Sequence, residues 1–138
     1  MTNKEIVRAF FEKGYNENDY AATAQLLADD YFDHSPAGAR CPADAVGILK
    51  IVENSFPDMH VEILDLIEEN NTVVGRFEFR ATHSTEYMGV PATNRPIAWE
   101  AIEIFRMEGD KIVESWGYWP DTEILEKLKR NQAETEQA

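Results

Sequence analysis

The chain has 138 residues, 43% of them apolar and 11% aromatic, and sets 26 acidic against 13 basic side chains for a formal charge of −13 at pH 7. That length suits one domain built on one core. The acidity argues against nucleic acid and anionic membrane surfaces as partners, because both demand a cationic patch; the nearest approach to one, Lys127, Lys129 and Arg130, reads as the solvated side of a C-terminal helix.

Helix signals come first along the chain. Thr2 and Glu5 stand at capping-box spacing, and Ile6, Val7, Phe10, Phe11 and Tyr15 recur at helical intervals. Asn18 or Asp19 can cap a second helix running to about Ala28 and burying Tyr20, Ala24 and Leu27. A third opens at Pro42, a good first-turn residue, and runs through Val46, Leu49 and Val52 to about Ser55. The intervening YFDHSPAGAR is short and rich in turn residues, and reads as a brief strand or a loop.

Beyond Phe56 and Pro57 the period changes from helical to extended. His60 to Ile67 is β-branched in character, and Asn70 with Asn71 predicts a hairpin turn. Val73, Gly75, Phe77, Phe79 and Ala81 then alternate with mostly polar neighbours, and His83 continues the apolar row. A loop containing Gly89, Pro91 and Pro96 leads to a long strand from Ile97 to Met107, EGD turns the chain back, and Lys111 to about Trp119 forms the last strand. Ile124, Leu125 and Leu128 restore a helical period, whereas NQAETEQA, residues 131–138, has nothing to bury and is expected to fray. The domain is therefore drawn over residues 1–130.

Helices first and long strands after them predict an α+β fold, a curved antiparallel or mixed sheet packed against N-terminal helices to leave a cone. An aromatic-lined cone with a few polar groups is a usual small-molecule site. Cys41 is the only cysteine, which excludes an internal disulfide and a cysteine-built zinc site and fits a reducing, cytoplasmic setting; before Pro42 at a helix start it reads as an inert thiol. No stretch has the length of a signal-peptide core or a membrane span.

YFDHSPAG, then SFPD, THS with an acidic residue two further on, GVP, the IFR strand, GDKI and ESW followed by an aspartate occur here in an order that resembles the SnoaL-like polyketide cyclase family, within the nuclear transport factor two-like superfamily. The resemblance spans the first helix to about Leu128 and implies the cystatin-like α+β barrel of that superfamily. It also implies ring closure by intramolecular aldol condensation, without metal or organic cofactor, on an apolar carbonyl compound. Such chemistry needs a carboxylate whose pKa desolvation lifts toward neutrality.

By resemblance Asp121 matches the family's catalytic aspartate, although WGYWPD sets it one residue farther from the tryptophan than is usual, with Pro120 as the extra residue. An aspartate between a strand and a helix is equally an N-cap, and a side chain spent on backbone amides is a poor base. His83 either lines the cavity or hydrogen-bonds in the core, with the family match favouring the cavity. His34, beside Asp33, is a second proton donor or an exposed acid–histidine turn, and His60 reads as surface. Glu103 shares a strand face with Trp99 and Phe105, but Ile102 and Ile104 claim the other face for packing, so alternation leaves its direction open. Trp99, Trp116, Tyr118 and Trp119, with Tyr15 and Tyr87, could stack on a flat ring or simply be core.

Three dispersed histidines offer no metal-ligand spacing, and glycine-rich phosphate loops and GxSxG elbows are absent from the sequence. The expectation is a small cone-shaped protein, a homodimer through its open sheet face, acting by acid–base catalysis with Asp121 as base and His34, His83 and Glu103 assisting. The alternatives are a non-catalytic binding module of the same fold, and isomerase or hydratase chemistry in the same cavity.

Overall fold

The capping box forms as predicted: Thr2 Oγ1 accepts the Glu5 N–H at 3.1 Å and starts α1, Asn3–Phe11. The computed structural model describes residues 1–36 and 38–137; Ala37, in the YFDHSPAGAR stretch, and Ala138, at the tip of the tail, lie outside the described residues. A single π-helical turn, Glu12–Asn16, follows α1 and carries Tyr15. Helix α2 is only Tyr20–Ala24, capped by Asp19 as one of the two predicted caps. It stops short of Ala28 because Leu27 and its successors are already β1, Leu27–Asp33, so YFD is strand and Leu27 is buried in the sheet.

After α3, Pro42–Ser55, the strands β2 (His60–Glu69), β3 (Thr72–Thr82), β4 (Pro96–Glu108) and β5 (Lys111–Tyr118) lead to α4, Asp121–Gln137. The sheet order is β1-β5-β4-β3-β2, with β1 parallel to β5 and every other pair antiparallel. Register shifts between Ile63 and Asp65, between Arg106 and Met107, and between Leu27 and Phe32 each add local twist, and the unclosed sheet curves around the helices.

Alternation decides what each face carries. On β3 the inner row Val73, Phe77, Phe79 and Ala81 is buried, and on β4 the inner row runs Ile97, Trp99, Ala101, Glu103, Phe105 and Met107. Helix α1 lies on this face: Phe11 stacks on Phe77 with ring centroids 3.9 Å apart and meets Phe105 edge-on at 5.7 Å. The outer face bears ion pairs, among them Arg76 with Asp65 and Glu100, around exposed Ile67, Ile102 and Tyr118.

Helix α4 continues to Gln137, through the segment expected to fray, and Arg95 holds it there with Nε donating to Thr135 at 2.9 Å and Nη1 to Glu134 at 3.0 Å. Among the described residues no helix is long and apolar enough to cross a membrane.

Candidate active site

The aromatic packing leaves one side of the inner face unfilled, between β1, β4, β5 and α3. The space there is a hollow of about 440 Å³ bounded by Tyr15, Asp33, Ile48, Glu103 and Trp119, with Asp121 at its rim. His34, Trp116 and Tyr118 border its mouth.

Glu103 is an acid that the sheet turns inward, which settles the direction that alternation left open: Ile102 is 46% exposed on the outer face. The Trp119 Nε1–H donates to Glu103 Oε2 at 3.1 Å. Loss of hydration pushes the Glu103 pKa up from 4.5 to about 7; the Trp119 N–H, which stabilises the charged form, holds it down, and the nearby Asp33 charge adds to the rise. Burial, reinforced by the Glu103 charge, also pushes the Tyr15 phenol well above its ordinary range, so Tyr15 stands in the wall as a neutral hydrogen-bond donor.

Asp33 ends β1 on the inner face, two residues after buried Tyr31. Its Oδ1 accepts the Ser35 N–H at 2.9 Å and the Ser35 hydroxyl at 2.7 Å, and the Ser35 Oγ accepts the Gly117 N–H at 2.7 Å. Asp33, Ser35 and Gly117 are not among the sequence candidates, because YFDHSPAGAR reads as a brief strand or a loop without favouring either. The two-residue period of Tyr31 and Asp33 against Phe32 and His34 was the available signal.

The expected base, Asp121, is the first residue of α4 and is exposed at the rim, so the desolvation expected for it falls on Glu103 instead. Among the described residues its carboxylate caps no helix amide either; Ile124 N–H bonds to the Pro120 carbonyl at 2.9 Å.

His83 is placed differently. It is fully buried, as its alternation predicts, but against the 84–95 loop rather than the hollow. Nε2 meets the Val90 carbonyl at 3.2 Å and Nδ1 meets Thr93 Oγ1 at 3.1 Å. A carbonyl only accepts, so Nε2 donates to Val90, and with Nδ1 paired to the Thr93 hydroxyl both ring nitrogens are engaged within the fold.

His34 stands at the mouth, its ring stacked on Trp116 at 4.8 Å and its Nε2 2.6 Å from Glu114 Oε2, while Arg106 holds the other oxygen of Glu114, Oε1. The exposed acid–histidine arrangement is thus realised with Glu114, across the sheet, rather than with Asp33. Trp99 is core, stacked on Phe79 at 5.7 Å, and Tyr87 packs edge-on to Phe56 at 4.7 Å. Tyr15 and Trp119 are the aromatic candidates that the structure brings into the wall beside Glu103, while Tyr118 is 62% exposed.

The model of the SnoaL-like polyketide cyclase family matches residues 5–128. The chain belongs to that family. Among solved structures, this SnoaL-like chain is similar to IdmH, a proposed polyketide cyclase from Streptomyces antibioticus, at 27% identity over 94% of this chain and 99% of that one, with a TM-score of 0.85. It is similar also to AclR, a proposed hydroxylase from Streptomyces galilaeus, at 25% identity over 93% and 96% of the two chains, TM-score 0.81. A proposed polyketide cyclase from Acidithiobacillus ferrooxidans shares the fold at 21% identity over 94% and 95%, TM-score 0.84. No curated protein matches the sequence.

Proposed function

We propose that this SnoaL-like chain is an acid–base enzyme acting on an apolar carbonyl compound, with Glu103 as the group that moves the proton. The observation that carries the reading is a carboxyl group with a pKa of about 7 inside an aromatic-walled hollow, since a base whose pKa lies near the working pH is both ionised and strong enough to act.

The family's ring closure gives the steps. Ionised Glu103 takes the proton from a carbon flanked by carbonyls, and the electron pair of that C–H bond becomes an enolate. The enolate carbon then forms a bond to a second carbonyl carbon of the same molecule, and the π pair of that carbonyl moves to its oxygen. The new alkoxide recovers the proton from Glu103, so the group ends as it began. Tyr15, a neutral phenol in the wall, is placed in this reading as a donor to the enolate oxygen. Trp119 offers a stacking face and keeps the Glu103 carboxyl oriented.

Abstraction can be tested without the native substrate. The protein should speed solvent-deuterium uptake at the α-carbon of 2-tetralone, followed by NMR, and Glu103→Gln should abolish the acceleration. Equal exchange by wild type and Glu103→Gln would contradict the assignment. A binding module of the same fold would show 2-tetralone shifting the Trp119 indole signal with no exchange by either protein.

A further inference from the structure

We infer that Asp33 is the positioning residue of this hollow: clamped by Ser35 against the backbone of β5, it keeps a fixed negative charge beside Glu103 and so assigns the site's proton to Glu103 rather than to itself. The inference deepens the reading of Glu103 as the proton-transfer group and rests on it.

The clamp begins in the loop after β1. Both donors of Ser35, its N–H at 2.9 Å and its hydroxyl at 2.7 Å, converge on one oxygen of Asp33, and hydrogen bonds of this kind favour the ionised carboxylate. The same hydroxyl oxygen accepts the Gly117 N–H at 2.7 Å, which ties the loop to the residue that pairs with Glu103 across β4 and β5. Gly117 is bare where the two meet: a Cβ there would stand 2.9 Å from Ser35 Oγ and 3.6 Å from Glu103 Cδ. Gly38 closes the loop from the other side, since a Cβ on it would come within 2.7 Å of Asp33 Cγ. The Asp33 N–H bonded to the Ala39 carbonyl at 2.7 Å, and Arg40 bonded to the Asp33 carbonyl, hold the loop in that closed form.

Among the described residues no lysine or arginine bounds the hollow to offset these acids. The other titratable groups facing the hollow are Tyr15 from the π-turn, Tyr31 from β1, and His34, Tyr118 and Asp121 at the mouth, His34 being turned to Glu114. Burial pushes the Tyr15 and Tyr31 phenols up, so they remain neutral, and Tyr118 and Asp121 are exposed to bulk water. Asp33 is therefore the charge that is both close and fixed, and it adds to the rise of the Glu103 pKa. A carboxylate held beside a second carboxyl group makes ionisation of that second group harder, and here the second group is Glu103.

The test is a pH titration of the full chain by carboxyl-carbon NMR with isotope-labelled glutamate. Asp33→Asn keeps the oxygen that receives Ser35 and removes the charge; Ser35→Ala keeps the charge and removes the clamp. Asp33→Asn should lower the Glu103 midpoint by up to about half a pH unit, roughly a threefold weaker hold on the proton, and Ser35→Ala should lower it by less. A natively folded Asp33→Asn protein with an unmoved midpoint would overturn the inference, because a merely structural Asp33 would alter stability and leave the titration alone. Should Asp33→Asn fail to fold, an unmoved midpoint in Ser35→Ala overturns it instead. Failure of the underlying reading is told apart in the unaltered protein, as a Glu103 that titrates in the ordinary carboxylate range.

Discussion

Glu103 and His83 both continue inner rows of the sheet and are both shielded by the fold, yet the chain uses them in opposite ways. At His83 the 84–95 loop folds over the ring, each nitrogen has a partner, and the side chain is fully buried. At Glu103 one oxygen takes the Trp119 N–H and the carboxyl borders a 440 Å³ hollow. Burial of a polar group alone therefore marks nothing. Burial beside empty space, at the cost of a displaced pKa, marks a place where a ligand can change the group's state.

Substitutions at the two positions should separate along that line. Glu103→Gln should cut the α-proton exchange of 2-tetralone by roughly a hundredfold to ten-thousandfold, the usual yield of a positioned base, while His83→Ala changes it little. Stability should respond in reverse. His83→Ala removes a buried ring and strands the Val90 carbonyl and the Thr93 hydroxyl, so urea unfolding should show a loss of about 3 kcal/mol.

The pH dependence sharpens the contrast. Because the fold raises Glu103 from 4.5 to about 7, the folded chain keeps a proton that the unfolded chain has already released in that window. The stability from this proton is fully present below pH 4.5 and is lost as pH rises through about 7. Relative to Glu103→Gln, the wild type should therefore lose stability across that window, by an amount on the order of 2 to 3 kcal/mol, read from denaturation midpoints at each pH. A smaller effect is expected at Trp119. Its N–H favours the charged carboxylate, so Trp119→Phe should raise the Glu103 midpoint by about half a unit. Smallest of all, Asp121→Asn at the exposed rim should move unfolding free energy by less than about 0.5 kcal/mol and leave 2-tetralone exchange within a few-fold of wild type.

The architecture was legible because its signals are local and periodic. The capping box at Thr2, the proline opening α3, the Asn70–Asn71 turn and the alternation of β3 each follow from a few adjacent residues. The extent of α2 was not, because the Leu27 side chain suits a helix as well as a strand until β5 is there to pair with it. At the site, alternation put Glu103 in one row with Trp99 and Phe105, but only the position of α1 says which row is inside. The apolar surroundings of His83 were readable as well; that they close over it depends on where residues 84–95 fold back. Asp33 escaped notice because a carboxylate beside histidine, serine and proline looks like turn chemistry. Its Ser35 clamp is anchored by the Gly117 N–H, 84 positions from Asp33, at a residue whose lack of a side chain no local pattern announces.

The most direct test is the titration curve of the Glu103 carboxyl in the unaltered protein, with no ligand present. A curve centred near 7 is the predicted result, and one centred near 4.5 would contradict the account by showing a carboxylate that water still reaches freely.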